Sequence, residues 1–240
     1  MTNRPTIADF GGPHTPEFAE MAMAWQHGVE TTVLGLVWLG YDLLKDEVLS
    51  QVDPGRLESV LETDVTQHLV LLIQRYMQEY CPFHPFSLLQ EFYEFEGREK
   101  PPARAKQNDF AFIAFGNTRL AWPFEAKILK TDAALAEYVN EIRSNFVTCR
   151  YAPFGSQAGM VGYLLSGSPQ RVLAGIAARL ECVLTPHPGF PRRDHATSDH
   201  DRVVPEGRPY PARIHLHHLI LPLACSPPDG PGPKPDTARA

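Results

Sequence analysis

The run WPFEAKILKTD, residues 122–132, sets Glu125 and Lys127 two positions apart in otherwise apolar surroundings. Strand side chains alternate between faces, so the acid and the lysine share a face with Ala121 and Pro123, while Trp122, Phe124, Ala126 and Ile128 take the other. The preceding run, DFAFIAF, opens on Asp109, which shares a face with Ala111, Ile113 and Phe115. Gly116-Asn117 between the two runs is a turn signal. A three-residue turn, Gly116 to Thr118, pairs Phe115 with Arg119 and puts Asp109 opposite Glu125. A two-residue turn pairs Asp109 with Phe124 and sends the carboxylates to opposite faces, because a one-residue slip inverts every side chain. Two carboxylates held together repel unless a cation lies between them. Hard oxygen donors at a strand edge suit Mg²⁺ or Mn²⁺, which keep waters and take substrate phosphate as further ligands. A lysine beside them can orient or deprotonate a water and offset charge in a phosphorane-like transition state. The chemistry implied is metal-assisted hydrolysis of a phosphate ester.

An acid two residues before a lysine is expected about 0.7 times by chance in a chain of this composition, so context carries the argument. This pair lies in a strand, follows an Asp-led strand through a turn, and precedes a helix start. The plain alternative is a solvated Glu and Lys on a surface strand.

Other polar residues have weaker claims. Arg143 and Arg150 lie on or after the following helical segment and could hold phosphates, although exposed helix arginines are mostly solvated. Gln157, ahead of Ala158-Gly159, could reach a substrate backbone or serve a turn. His200 and Arg202, in the stretch SDHDR, could contact a scissile phosphate or belong to a polar loop. His215 and His217 share a strand face, but no third soft ligand at useful spacing supports zinc. The aromatic cluster Phe92, Tyr93, Phe95 reads as core. No Walker loop, GxSxG elbow or dinucleotide fingerprint is present.

The elements that must position these residues follow from periodicity and punctuation. A first helix starts at Thr15-Pro16, with Thr15 as cap, and runs to about Ser50, with a break expected at Gly28 or Gly40. Asp53-Pro54 repeats the start signal, and Leu57, Leu61, Val65, Leu69, Leu72 and Ile73 continue at helical spacing to about Tyr80. Residues 86–97 read as a strand, followed by the basic loop REKPPARAKQ and the hairpin strands. A third helix follows, capped by Thr131 or Asp132, then a buried strand AGMVGYLLSG and a fourth helix. Residues 186–211 lack periodicity and read as loop, and ARIHLHHLILPL as a last strand. The order predicts an α/β domain, a mixed sheet flanked by helices, over residues 53–224. An N-terminal helical extension (1–52) precedes it, its first 14 residues a loose leader, and a disordered tail (225–240) follows.

The chain has 240 residues, 43% of them hydrophobic, and a net charge of −6. That balance disfavours a solitary, tight nucleic-acid binder and suggests a protein partner or self-assembly. The four cysteines form no CxxC pair, which fits reduced thiols in the cytoplasm rather than a disulfide framework. No signal sequence is visible, and the most apolar stretch, Val33 to Leu44, is too short for a bilayer, so no membrane association is expected.

Asp109, followed after fifteen residues by Glu125-Ala126-Lys127, resembles the PD-(D/E)XK, or restriction-endonuclease-like, nuclease superfamily. The resemblance covers about residues 53–222, with Asn108 standing where the motif has its proline. It implies a mixed sheet flanked by helices and a Mg²⁺- or Mn²⁺-dependent endonuclease acting on DNA. It also implies metal held by Asp109, Glu125 and the Ala126 carbonyl, with Lys127 as base or water-orienting group. An acid on the preceding helix often joins such sites; Glu62 fits best, Asp64 second. QAGMVGYLLSG and the TSDHDR … IHLHHLIL pattern look, more loosely, like nucleases of bacterial anti-phage and restriction systems. An idle scaffold of the same fold, or a sensor binding a small molecule near SDHDR, are the rival expectations.

Overall fold

The computed structural model describes residues 15–51, 58–81, 83–94 and 107–223. Helix α1 (Pro16–Glu47) starts as its sequence dictates: Thr15 caps it by accepting from the Phe18 amide, and Pro16 fills the first turn. It runs unbroken through Gly28 and Gly40 and stops at Glu47 rather than Ser50. Gly40 is a contact rather than a break, since a Cβ there would lie 2.4 Å from the Ile73 side chain. That close approach lets α1 lie against α2 (Glu58–Tyr80). The expected cap at Asp53 lies outside the described residues, as do the leader, the basic loop with Phe95, and the tail.

Among the described residues, seven strands form one mixed sheet: β1 (Phe86–Tyr93), β2 (Gln107–Ala114), β3 (Asn117–Leu129), β4 (Gln157–Leu164), β5 (Thr185–Pro186), β6 (His195–Asp201) and β7 (Arg213–Pro222). Their order is β1-β2-β3-β4-β7-β6-β5. The central pairs β3/β4 and β4/β7 are parallel and the outer ones antiparallel. β4 is buried along its whole length, as a central parallel strand covered on both faces must be.

One core lies between the sheet and α1–α2, built from Val33, Leu34, Trp38, Leu61, Leu69, Phe112, Phe124 and their neighbours. The other face is covered by α3 (Ala136–Glu141), a π-helical turn continuing it (Ile142–Phe146), and α4 (Pro169–Leu180), around Leu135, Tyr138, Met160 and Ile176. α1 thus shares one core with α2 and the sheet. It is tied there by Gln26, wholly buried, which donates to the carbonyls of Ala121 and Gln157 and accepts from the amides of Ser156 and Gln157, all at 2.9 Å. Gly155 is required beneath it, because a Cβ would sit 2.3 Å from Gln26 Nε2.

Three expectations change. The third helix does not start at Thr131 or Asp132; residues 131–133 form a turn, with the Ala133 amide on Thr131 Oγ1, and α3 begins at Ala136. Residues 186–211 are not all loop, for β5 and β6 bring them into the sheet. The hairpin turn is two residues, Phe115-Gly116, with Gly116 at φ +80 and Ala114 opposite Asn117. By itself that turn would have inverted the face of Asp109. A register shift between Ile113 and Ala114 restores the parity, so Ile113 lies opposite Ala121 and Phe110 opposite Phe124.

Candidate active site

Because Phe110 pairs with Phe124, Asp109 falls beside Glu125 on the same face. Beyond that pair, amides of β3 take side chains as partners. The Ala126 amide donates to Asp109 Oδ2 at 2.6 Å, and the Ile128 amide to Glu62 Oε2, on α2, at 3.0 Å. Lys127 completes the cluster. Its Nζ donates to Glu125 Oε1 at 2.9 Å, Glu62 Oε1 at 3.1 Å and the Ala126 carbonyl at 2.7 Å. The structure therefore brings Glu62, Asp109, Glu125, Ala126 and Lys127 to one place, a fork where β3 runs on beside α2. On β1, Glu91, between Gln90 opposite Phe110 and Phe92 opposite Asn108, adopts φ +55, a left-handed conformation that non-glycine residues rarely take.

Burial dominates the electrostatics. It pushes the Asp109 carboxyl up to about 6, against the pull of Lys127 and the Ala126 amide. Burial, then the charge of Asp109, pushes Glu125 up to about 8. Burial opposes the Lys127 ammonium, but Glu125, Glu62 and Asp109 outweigh it and raise Lys127 above its ordinary value. Glu125 is 5% exposed, and its Oε2 is buried without a hydrogen-bond partner. An orphaned carboxylate oxygen beside a second raised carboxyl fits a divalent cation, which would neutralise both. Asp109, Glu125 and the Ala126 carbonyl are the oxygens that could hold it. Among the described residues, no group of three or more His, Cys, Asp or Glu side chains is gathered in metal-binding geometry; here two carboxylates and a carbonyl surround an ammonium instead.

Two neighbours escaped the sequence reading. Glu141, on α3, adds negative charge to both Asp109 and Glu125 and is held by the Asn145 side-chain amide. Tyr151, buried, donates its hydroxyl to the Gln107 carbonyl at 2.7 Å; burial and the charges of Glu125, Glu141 and Asp109 raise its pKa. Glu141 had one faint signal, its place on the helix after the charged strand. Tyr151 had none.

The remaining candidates have other hydrogen-bond partners. Arg143 donates to the Arg179 carbonyl at the end of α4. The Arg150 amide bonds the Asn145 carbonyl at 2.9 Å. Arg202, 8% exposed, directs its guanidinium at the carbonyls of Phe146, Ala152, Gly155 and Tyr151, at 2.9–3.1 Å. It clamps a loop in which Cys149 and Ala152 take positive φ, which accounts for the arginine without a phosphate. Gln157 and the histidines of β6 and β7 form networks instead. Trp38 Nε1 donates to His195 Nδ1 at 3.3 Å, leaving His195 Nε2 to donate to His217 Nδ1 at 3.2 Å. His217 Nε2 then donates to Gln157 Oε1 at 3.2 Å, and Gln157 Nε2 to Glu30 at 3.1 Å. On the opposite face, Ser198 Oγ lies 2.8 Å from His218 Nε2 and 2.7 Å from His200 Nε2.

The chain shows no significant match to any family model, curated protein or solved structure. No helix among the described residues is long and apolar enough to cross a membrane.

Proposed function

We propose that the chain is a Mg²⁺- or Mn²⁺-dependent nuclease that hydrolyses phosphodiester bonds in DNA. The observation that carries this reading is the convergence of Asp109, Glu125 and Lys127, from two strands and with Glu62 from a helix, around one buried and incompletely satisfied carboxylate. Such unsatisfied, charge-perturbed clusters are what active sites require and what folding alone disfavours. When bound, the cation supplies Lewis-acid polarisation of the phosphate and stabilises the charge that develops on it. Asp109 is fixed for this by the Ala126 amide, and Glu125 by Lys127. The Lys127 ammonium, anchored to Glu62, orients the attacking water and faces the developing negative charge. The resemblance to the PD-(D/E)XK pattern supports the same chemistry and suggests an effector of a bacterial anti-phage system. The acidic chain then calls for a partner subunit or self-assembly to grip DNA.

The test is cleavage of plasmid and linear DNA by purified protein with Mg²⁺ or Mn²⁺. Wild type is expected to nick or degrade the DNA. Lys127→Ala is expected to lower the rate at least about 100-fold while keeping the wild-type circular-dichroism spectrum. Inert wild type, with no metal binding, would sink the reading. A second reading, a catalytically idle scaffold of the same architecture, is favoured by one observation: Lys127 already neutralises Glu125 and Glu62 from within. Inert wild type that still assembles with a partner would select it.

A further inference from the structure

The Lys127 ammonium is ringed by three oxygens: Glu125 Oε1 at 2.9 Å, Glu62 Oε1 at 3.1 Å and the Ala126 carbonyl at 2.7 Å. Two of these, on Glu125 and Ala126, belong to the set that would hold a divalent ion. The third does not depend on that set. Glu62 reaches in from α2 and is fixed independently by the Ile128 amide through its other oxygen. Lys127 is thus a cation with two berths, one shared with the metal ligands and one outside them. Its side chain is 12% exposed, so bulk water cannot screen it from an incoming ion. An ion on the free Glu125 Oε2 and Asp109 that also reached the Ala126 carbonyl would meet an ammonium 2.7 Å from that same oxygen, and the two positive charges repel.

We propose that Lys127 is the resident cation of the resting site, and that a divalent ion binds by displacing its ammonium from Glu125 and the Ala126 carbonyl onto Glu62. The inference rests on the metal-dependent reading above and deepens it. Glu62 becomes a positioning residue, which retains the lysine over the site after the exchange. The resting protein is self-neutralised, and metal entry becomes the step that arms it. Lys127 then opposes metal affinity while serving catalysis, so removing it separates the two.

The experiment is calorimetric titration of MnCl₂ into the full-length wild type and Lys127→Met at one pH. The variant is expected to bind Mn²⁺ about tenfold more tightly, because a like charge has left the site. Equal or weaker binding by a folded variant overturns the proposal, as does a lack of Mn²⁺ binding in both proteins. A second measurement needs no variant. Wild type is acetylated with an amine-reactive ester, with and without Mn²⁺, and Lys127 is followed by peptide mass. Release from Glu125 is expected to raise its labelling several-fold, and unchanged labelling overturns the exchange. DNA cleavage measured alongside separates the two ideas. Tighter Mn²⁺ binding by Lys127→Met with inert wild type keeps the displacement and removes the nuclease. Cleavage by wild type with unchanged Mn²⁺ affinity in the variant does the reverse.

Discussion

The fork at Glu125 and the imidazole chain through His195 and His217 are both buried polar clusters on one sheet, yet they are built on opposite rules. In the chain every link has a donor and an acceptor. Trp38 can only donate, which fixes the tautomer of His195, then that of His217, and the run ends on the Glu30 carboxylate. The rings are kept neutral: burial pushes His195 down to about 2 and His217 well below its ordinary value. At the fork, an ammonium and carboxyls raised by burial crowd together, and one carboxyl oxygen has no partner. A satisfied neutral network holds α1 to the sheet and asks for nothing further. An unsatisfied charged one leaves a buried oxygen without a partner, the feature on which the proposed metal site rests.

Acid is expected to break the buried imidazole networks most severely. Burial also pushes His218 down to about 3, so His195, His217 and His218 stay neutral in the fold while their unfolded counterparts take up protons. Each is a base whose folded pKa is depressed. Their contribution is present above the unfolded value near 6.5 and is lost as pH falls below it toward the folded values. Three such groups would alone give a slope approaching about 4 kcal/mol per pH unit below pH 6, offset in part by Asp109 and Glu125, whose raised carboxyls take up protons in the fold over the same range. Urea unfolding at pH 8, 6 and 5 in an Asp109→Asn/Glu125→Gln background, where the opposing carboxyls are gone, would read it; stability that is flat across this range in that background would mean the rings are not buried as neutral bases. Next in size, His217→Leu strands the Nε2 proton of His195 and the side-chain Oε1 of Gln157. A loss of about 2–4 kcal/mol is expected from two orphaned buried groups, read as a lower urea midpoint. The smallest effect has the opposite sign. Asp109→Asn removes the like charge beside Glu125 and keeps an oxygen for the Ala126 amide, so it should stabilise by about 1 kcal/mol while abolishing cleavage. A destabilised variant would show that the fork, too, is architecture.

Much of the fork was legible in sequence because its parts are local: a charge pair at strand spacing, an Asp-led strand before it, and a glutamate bordering the apolar face of a helix. The register was harder. The Gly116-Asn117 signal located the hairpin, but a two-residue turn alone predicts the wrong face, and the compensating shift at Ile113/Ala114 leaves no compositional mark. β6, with the sequence HATSDHD, reads as loop because its polar side chains are satisfied by partners distant in sequence, such as His217 for His195 and His218 for Ser198. The same non-locality hid the duty of Arg202, whose four acceptors are carbonyls between residues 146 and 155. The late start of α3 has a local cause, since the Ala133 amide bonds Thr131 Oγ1 and the Thr131 carbonyl takes the Ala134 amide, closing a turn before the helix can begin.

The slack taken up near Ile113 also has a use at the bench. The irregular stretch of β3, residues 118–120, lies at the tip of the hairpin and Asp109 at its base, with regular pairing from Ile113 to Phe110 between them. Changes at Phe115-Gly116 that keep the turn length leave this pairing, and hence the acids, in register. That tip is the natural place to graft a fluorophore, giving a reporter on this chain that leaves the fork undisturbed.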